Sequence, residues 1–318
     1  MMKRLYMLVI CLYALTGAAQ QTTRYNQYLL NSYLINPAYA GTHNNYEFMA
    51  GRHAQWIGFD YAPVSMFFST TYTYRPNFNY KGWHGFGGYV ENDKRGMFTT
   101  KSVYLSYSYH VRISKGYNMG MGLFVGGKSV GVSNSARNTA DPALNLALKP
   151  IIFYPDIVPG FRLYSKKMFM GISVRNLYKY NLTQGSKKIG TDSKLIPTIY
   201  FNYGRKFHSA TNEFTIVPSV NVQTSILSKP LVDVSLLVSY KNRIALGATY
   251  TVLNSATANL QVQILKNVVF GLAYNYATNG LRNAAANSAE AIIGITPTMG
   301  NEPVNNRNRV ARCPDFDF

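Results

Sequence analysis

Apolar and polar side chains alternate strictly in many short segments, from the first third of the chain to near its end. From Val103 to Arg112 the odd positions are apolar or tyrosine, and the even positions carry hydroxyl, imidazole or guanidinium groups. A period of two places the two kinds of side chain on opposite faces of a β-strand. The pattern therefore predicts an all-β fold. The candidate strands lie near residues 45–52, 64–75, 83–92, 99–112, 117–132, 157–165, 168–176, 197–206, 213–226, 231–241, 243–252, 257–266, 268–277 and 287–296.

The connections between these strands alternate in length as well. Tight turns are predicted at Ile113–Gly116, Ser165–Lys167, Lys241–Arg243 and Lys266–Asn267. The two longest connections, 133–156 and 177–196, have the opposite parity. Outer-membrane barrels have short periplasmic turns and longer external loops. We therefore predict a transmembrane antiparallel β-barrel of about 14 strands over residues 45–296, with both chain termini in the periplasm.

Composition favours a membrane barrel over a water-soluble domain. Charged residues make up 14% of the chain, whereas a soluble domain carries about 25%. Tyrosine occurs 26 times, and its apolar ring with a polar tip suits strands and membrane interfaces. The mean hydropathy of −0.11 excludes a bundle of membrane helices but is normal for a barrel with a polar interior. A soluble periplasmic or surface β-sandwich is the remaining all-β alternative.

The first residues match a secretory signal peptide. A short basic region at Lys3 and Arg4 precedes an apolar run from Leu5 to Leu15, and small residues follow it at 17–19. The run is shorter than the roughly 20 residues of a membrane helix, and the residue before Cys11 is too large for a lipoprotein signal. We predict a signal peptide at 1–19, an N-terminal periplasmic, plug-like segment at 20–44, and a basic periplasmic tail at 297–318.

The chain is strongly basic, with a formal net charge of +19. An exported protein meets little nucleic acid, so we expect no nucleic-acid partner. Outer-membrane lipid with anionic headgroups, acidic polymers and acidic proteins are the expected counterparts. The alternative is that the basic residues only fill turns and the barrel interior.

No group of residues predicts catalysis or a cofactor. The five histidines lie far apart and lack the spacing of metal ligands. The glycines between Gly120 and Gly127 do not match a dinucleotide fingerprint, and no helix is predicted after them. No nucleophile elbow is visible. We therefore predict that the protein is not an enzyme and binds no cofactor. Cys313 is the one cysteine beyond the signal peptide, so it cannot form an internal disulfide.

Two motifs near the start of the predicted mature chain are the most specific feature of the sequence. The first runs from Gln27 to Gly41 and ends in Asn-Pro-Ala-Tyr-Ala-Gly. The second runs from Arg52 to Pro63 and contains Arg-x-x-Gln-Trp-x-Gly followed by Ala-Pro. With the length, signal peptide and strand-rich remainder, they resemble the PorP/SprF family of type IX secretion outer-membrane proteins. The candidate family-motif and partner-contact residues are Asn36, Pro37, Ala38, Tyr39, Gly41, Arg52, Gln55, Trp56, Gly58 and Pro63.

Some of these residues have a direct physical meaning. Asn36 precedes a proline, which restricts its backbone to a turn or an extended entry, and Gly41 permits a conformation that other residues avoid. Arg52, Gln55 and Trp56 are expected to form a polar and aromatic latch after the first strand. The alternative is that they only fold the barrel mouth.

The resemblance implies a non-enzymatic role in type IX protein secretion, or in presenting adhesins for gliding motility. It also implies two partners, the secretion machinery and the C-terminal sorting domain of a secreted cargo protein or adhesin. We expect the long loops 133–156 and 177–196 to make the external contact, because long loops offer the most area. Arg309, Arg312 and Cys313 in the tail are candidate contacts with periplasmic components. A passive outer-membrane porin or uptake barrel is the main alternative.

Overall fold

The computed structural model describes most of the chain between Thr23 and Pro297. The described residues are 23–43, 46–76, 81–96, 98–114, 116–132, 152–177, 183–184, 187–188, 196–211, 213–225, 228–265, 267–278 and 287–297. The predicted signal peptide at 1–19 lies outside them. The predicted tail at 297–318, with Arg309, Arg312 and Cys313, also lies outside them beyond Pro297.

Fourteen long strands follow one another along the described residues. They are β1 (Glu47–Ala54), β2 (Val64–Tyr74), β3 (Gly82–Arg95), β4 (Phe98–Ser114), β5 (Tyr117–Val132), β6 (Ile152–Ser165), β7 (Met168–Arg175), β8 (Thr198–Arg205), β9 (Phe214–Ser225), β10 (Ser228–Tyr240), β11 (Ile244–Thr251), β12 (Ser255–Leu265), β13 (Val268–Ala277) and β14 (Ser288–Ile295). Three further fragments have two residues each: Thr183–Gln184, Lys187–Lys188 and Phe207–His208.

The sheet closes on itself. Each long strand pairs antiparallel with its neighbours in the chain, and β1 pairs with β14, for example Phe48 opposite Ile295. In hydrocarbon an unpaired backbone group costs several kcal/mol, so a spanning sheet must have no edge. The predicted antiparallel barrel of about 14 strands is confirmed.

The alternation of the sequence becomes an apolar outside and a mostly polar inside. On β4, Val103, Leu105 and Tyr107 point outward and are exposed, whereas Ser108 and His110 point inward and are buried. The same division holds along the other strands, so a belt of apolar and aromatic side chains surrounds the barrel. Such a belt is the surface that lipid covers in outer-membrane barrels.

The two ends of the barrel differ in their connections. At one end, called here the turn end, the connections are 75–81, 115–116, 166–167, 206–213, 241–243 and 266–267. At the other, called here the loop end, they are 55–63, 96–97, 133–151, 176–197, 226–227, 252–254 and 278–287. The longest connections share the loop end. By the general rule for such barrels, the loop end faces outward and the turn end faces the periplasm.

Strand β6 begins at Ile152, earlier than the predicted start at 157. The strand contains Pro155 and Pro159, and a proline cannot donate a backbone hydrogen bond. In the structure, the part of β6 before Gly160 pairs with β5 but has no described pairing with β7. A proline is tolerated where a strand has a partner on one side only. The connection expected at 133–156 therefore shortens to 133–151, which lies outside the described residues.

Helical structure in the described part of the chain is limited to two short 3-10 turns, Ser32–Leu34 and Pro37–Tyr39. No helix among those residues is long and apolar enough to cross a membrane.

Candidate functional site

Residues 23–43, called here the lumenal segment, lie inside the barrel. Their buried side chains pack against inward-facing residues of strands all around the wall. The segment begins at the loop end, where Arg95 at the end of β3 donates to the Thr23 hydroxyl over 3.4 Å. It finishes at the turn end, where the Thr73 hydroxyl of β2 donates to the His43 carbonyl. The segment therefore runs the height of the barrel inside the lumen, as a plug does. Its first described residue, Thr23, lies at the loop end and not at the periplasmic end predicted for the start of the mature chain.

An ion pair holds the loop-end part of the segment. Arg24 donates to the carboxylate of Asp233 on β10 and to the hydroxyl of Thr251 on β11. Asp233 also accepts from Thr251 over 2.7 Å and from Asn221 of β9 over 3.1 Å. The pair is largely buried, and its carboxylate is shared among several donors, which is the arrangement in which a buried charge is tolerated. It ties the segment to three adjacent strands.

A second buried carboxylate holds the next turn of the segment. Glu290 of β14 accepts from the backbone amides of Asn26 and Gln27 over 2.7 and 3.0 Å. The ring of His53 on β1 lies 2.9 Å from the same carboxylate. Hydrogen bonds to an ionised group are about twice as strong as neutral ones. Glu290 therefore fixes the backbone where the segment turns at 27–30.

Aromatic packing fills the middle of the lumen. Tyr33 packs edge-on against Phe124 of β5 at 5.2 Å between ring centres, and against Tyr89 of β3 at 6.5 Å. Its hydroxyl lies 2.7 Å from that of Ser106 on β4. Edge-to-face geometry adds to the energy of burial. The segment is therefore part of the protein's hydrophobic core.

Asn36 joins the first motif to the barrel wall. Its Oδ1 accepts from the backbone amide of Ala38 over 2.9 Å, which caps the 3-10 turn that begins at Pro37. Its Nδ2 donates to the carbonyls of Phe161 on β6 and Ile172 on β7, over 3.0 and 3.2 Å. One amide thus satisfies the turn and bridges two strands, a full use of its donors and acceptor.

The wall facing the first motif is lined with glycine. A Cβ at Gly160 would lie 2.1 Å from Asn36 Oδ1, and a Cβ at Gly122 would lie 2.6 Å from the backbone of Pro37 and Ala38. A Cβ atom does not come this close to a non-bonded atom, so a side chain at these positions would clash with the segment. The strands can approach the segment closely because they have glycine there. Further wall glycines in close contact with the segment are Gly85, Gly120, Gly171 and Gly271.

The end of the first motif is held by aromatic and polar contacts. The guanidinium of Arg162 on β6 lies over the Tyr39 ring, 3.7 Å from its centre, and the Tyr39 hydroxyl accepts from Asn202 of β8 over 2.7 Å. The indole of Trp83 donates to the Gly41 carbonyl over 2.7 Å. Gly41 has φ of +80°, the left-handed conformation expected at this glycine. The segment thereby turns toward β1.

The second motif lies at the opposite end of the barrel. Arg52 points outward from β1 and is exposed, between Met66 of β2 and Ala291 of β14. The connection 55–63, called here the aromatic loop, carries the exposed side chains Trp56, Ile57, Phe59 and Tyr61. Arg52 is therefore on the outer wall and Trp56 is on the loop beyond β1. Between them, His53 points into the lumen and shares Glu290 with Gln27 of the first motif.

The aromatic loop has a defined backbone. The amide of Gln55 donates to the Pro63 carbonyl over 2.9 Å and closes the loop. The amide of Ile57 donates to the Asn287 carbonyl over 2.9 Å, and that of Gly96 donates to the Tyr61 carbonyl over 3.1 Å. The loop bends sharply at three residues whose backbone has a positive φ: +50° at Trp56, +101° at Gly58 and +59° at Tyr61. The loop is thereby held between β1–β2, the β3–β4 turn and the start of β14.

Comparison with known proteins decides the family. The family model described as "Type IX secretion system membrane protein PorP/SprF" matches residues 17–295. The chain belongs to the PorP/SprF family. This membership and the barrel fold place the protein in the outer membrane as a component of type IX secretion. No curated protein matches the chain.

Among solved structures, this PorP/SprF protein is similar to other outer-membrane barrels. The toluene transporter TbuX of Ralstonia pickettii has 10% sequence identity and a TM-score of 0.50, over 83% of this chain and 92% of that one. The CymD monoaromatic hydrocarbon channel has 10% identity and a TM-score of 0.50, over 90% and 96%. At this identity the similarity establishes the fold alone.

Several residues that organise the PorP/SprF lumen were missed in the sequence. Asp233, Glu290 and Arg162 were not singled out, although each occupies an inward position of an alternating strand. In the sequence, a charged residue on the polar face of a strand looks the same whether its side chain contacts water or a buried partner. A plug-like segment was predicted at 20–44, but its composition did not show which residues of the first motif contact the wall. Among the described residues, no cluster of three or more His, Cys, Asp or Glu side chains has the geometry of a metal site.

Proposed function

We propose that this PorP/SprF protein helps export a secreted cargo protein, or anchor an adhesin, by binding its C-terminal sorting domain at the loop end of the barrel. The role is one of binding and not of catalysis. The observation that carries the proposal is that the two motifs occupy different places in the barrel. One fills the lumen, and the other presents apolar side chains at the outer mouth.

The filled lumen argues against a passive pore. The segment is tied to the wall near the loop end by Arg24 and Glu290, in the middle by Tyr33, and toward the turn end by Asn36 and Tyr39. Each tie involves buried groups, and a buried group that loses its partner costs about 1–3 kcal/mol. Opening a path for solutes would break several ties together. A protein built in this way acts through its surfaces.

The aromatic loop is the described surface best suited to a protein partner. Large aromatic side chains dominate the energy of protein interfaces, and Trp and Tyr are the most enriched of them. Tyr61 is 68% exposed and Trp56 is 44% exposed, although both sit on a backbone fixed by hydrogen bonds. A rigid display of aromatic groups loses little entropy on binding. Trp56 and Tyr61 are therefore the proposed central contacts, and Arg52, Gln55, Gly58 and Pro63 support or border them.

Two other contacts belong to the proposal but lie largely outside the described residues. The two longest connections of the loop end, 133–151 and 176–197, would enlarge the external surface around the aromatic loop. The basic tail at 297–318, through Arg309, Arg312 and Cys313, would contact periplasmic parts of the secretion machinery. Deleting either loop should reduce cargo display, and truncating the tail should reduce co-purification with the machinery. Unchanged results would remove that contact from the proposal.

Affinity purification from native membranes tests the binding role. The tagged wild-type protein should retain a large secreted protein that carries a C-terminal sorting domain. Trp56→Ala with Tyr61→Ala should reduce the retained amount by about tenfold or more, as expected for interface aromatics. Leu253→Ala is the matched control, because Leu253 is an apolar residue, 84% exposed, in another connection of the same end. Equal retention by all three proteins would contradict the aromatic loop as the contact.

Passive conduction of small solutes is the alternative function, and the similarity to TbuX and CymD concerns the fold alone. Membrane conductance separates the two functions, because a barrel with its lumen occupied should pass little current.

A further inference from the structure

Exposed cations follow most of the rim of the barrel at the turn end. This arc, called here the cationic girdle, consists of Lys81, Arg112, Lys166, Lys167, Arg205, Lys241 and Arg243, all of which are exposed. Its members lie at successive connections from β2–β3 round to β10–β11. Among the described residues of this end, Glu213 is the one carboxylate at the surface, and it pairs with Lys241 over 3.2 Å. The turn end therefore has a large excess of positive charge.

The girdle lies next to a row of lipid-facing aromatic side chains. These exposed residues at or near the turn-end termini of their strands are Tyr74, Tyr109, Tyr117, Tyr203, Phe214 and Tyr240, with Phe207 just beyond β8. Tyrosine and other aromatic residues form such rows where hydrocarbon meets the polar headgroups. Because the cations lie close to these aromatics in the chain, they lie at the level of the headgroups.

Two contacts show that cations of the girdle face the membrane side of the wall. The guanidinium carbon of Arg205 lies 5.1 Å from the centre of the Phe207 ring. The ammonium of Lys241 lies 5.1 Å from the centre of the Tyr240 ring. Phe207 and Tyr240 are exposed on the outside of the barrel. Charged groups that rest on outward aromatic rings are placed to meet lipid phosphates beside the barrel.

We propose that the cationic girdle binds the phosphate groups of anionic phospholipids in the leaflet at the turn end. The distribution of charge favours lipid over an acidic protein. A protein partner would contact one sector, or the open face of the end, whereas the girdle follows five of the six turn-end connections, a long arc of the wall that a lipid leaflet would contact along its whole length. Each Lys or Arg near an anionic membrane surface increases binding by about fivefold. The protein therefore selects anionic lipid at this end, independently of any cargo at the other.

The test uses the full-length protein in nanodiscs that contain equal amounts of phosphatidylglycerol and phosphatidylcholine. After partial removal of lipid with detergent, the lipids that stay on the barrel are counted by native mass spectrometry. The wild type should retain phosphatidylglycerol at least about fivefold over phosphatidylcholine. The turn-end variant Lys166→Gln, Lys167→Gln and Arg243→Gln should lose most of that preference. The matched loop-end variant Lys94→Gln, Lys101→Gln and Lys229→Gln removes the same charge from exposed positions and should keep the preference.

Each other outcome overturns the proposal. Equal retention of the two lipids by the wild type would show that the girdle does not select anionic headgroups. The same loss in both variants would show an effect of total charge rather than a site. A turn-end variant that keeps its lipid preference but loses a co-purifying acidic protein would assign the girdle to a protein partner. Heat-modifiable gel mobility checks that both variants are folded.

Discussion

Asn36 and Gly160 fit together because Gly160 has no side chain: a Cβ there would lie 2.1 Å from Asn36 Oδ1. The glycine is on strand β6 of the wall, and the asparagine is in the first family motif. Their contact lets the asparagine amide reach the backbone of both β6 and β7. The motif and the wall glycines are thus two halves of one packing arrangement, which explains why the Asn-Pro-Ala-Tyr-Ala-Gly run lies in the lumen.

Adding a methyl group at Gly160 should loosen the lumenal segment. We expect Gly160→Ala to lower the free energy of unfolding by about 1–3 kcal/mol, the usual cost of overpacking. Urea-induced unfolding in lipid vesicles measures the change. Gly88→Ala is the matched control, because a Cβ there meets the flexible end of Leu105 at 3.2 Å and the Tyr104 carbonyl at 3.1 Å. A change at Gly160 no larger than the one at Gly88 would contradict the packing argument.

Removing the charge of Glu290 should free the loop-end part of the segment. Glu290→Gln replaces one acceptor oxygen by a donor that faces the amides of Asn26 and Gln27. We expect a loss of about 2–3 kcal/mol, the range for hydrogen bonds to charged groups. Hydrogen exchange of the amides at 25–30 should become faster. Glu213→Gln is the control, because its solvent-exposed pair with Lys241 contributes little to stability. Unchanged exchange in Glu290→Gln would show that this carboxylate does not hold the segment.

The direction of the lumenal segment can be tested by chemical labelling. Thr23 lies at the loop end, and Ser114 is an exposed residue at the turn end of β4. In a Cys313→Ser background, a membrane-impermeant maleimide should label Thr23→Cys on intact cells. It should label Ser114→Cys only after the outer membrane is permeabilised. The reverse pattern would mean that the barrel sits the other way round or that the segment enters from the opposite end.

The architecture of the barrel was accessible from the sequence, because each strand repeats the same two-residue pattern over most of its length. Strand β5 was predicted at 117–132 and is observed at Tyr117–Val132. Strand β6 was predicted to start at 157 and starts at Ile152. Its first part, which contains Pro155, pairs with β5 and has no described pairing with β7. Whether a strand has a second partner depends on where the other strand lies, and the local sequence does not show that.

The organisation of the lumen was much less accessible. The first motif was recognised by its residues, but its contacts with Gly122, Gly160 and Arg162 join positions more than 80 residues apart in the chain. The same limit applies to Arg24 with Asp233, and to Glu290 with Asn26. Such pairs form because the barrel closes around the segment. The two-residue pattern of the strands does not predict which residues are paired. The aromatic loop was visible as a motif, whereas its exposure became clear only in the structure.

Conductance in planar lipid bilayers tests most directly whether the lumen is occupied as described. The wild-type barrel should remain closed, with rare and brief openings. Gly160→Ala and Asn36→Ala should open more often, because they disturb the contact that holds the segment to β6 and β7. A steady open-channel current from the folded wild-type protein, unchanged in both variants, would contradict a filled lumen and would favour the passive pore.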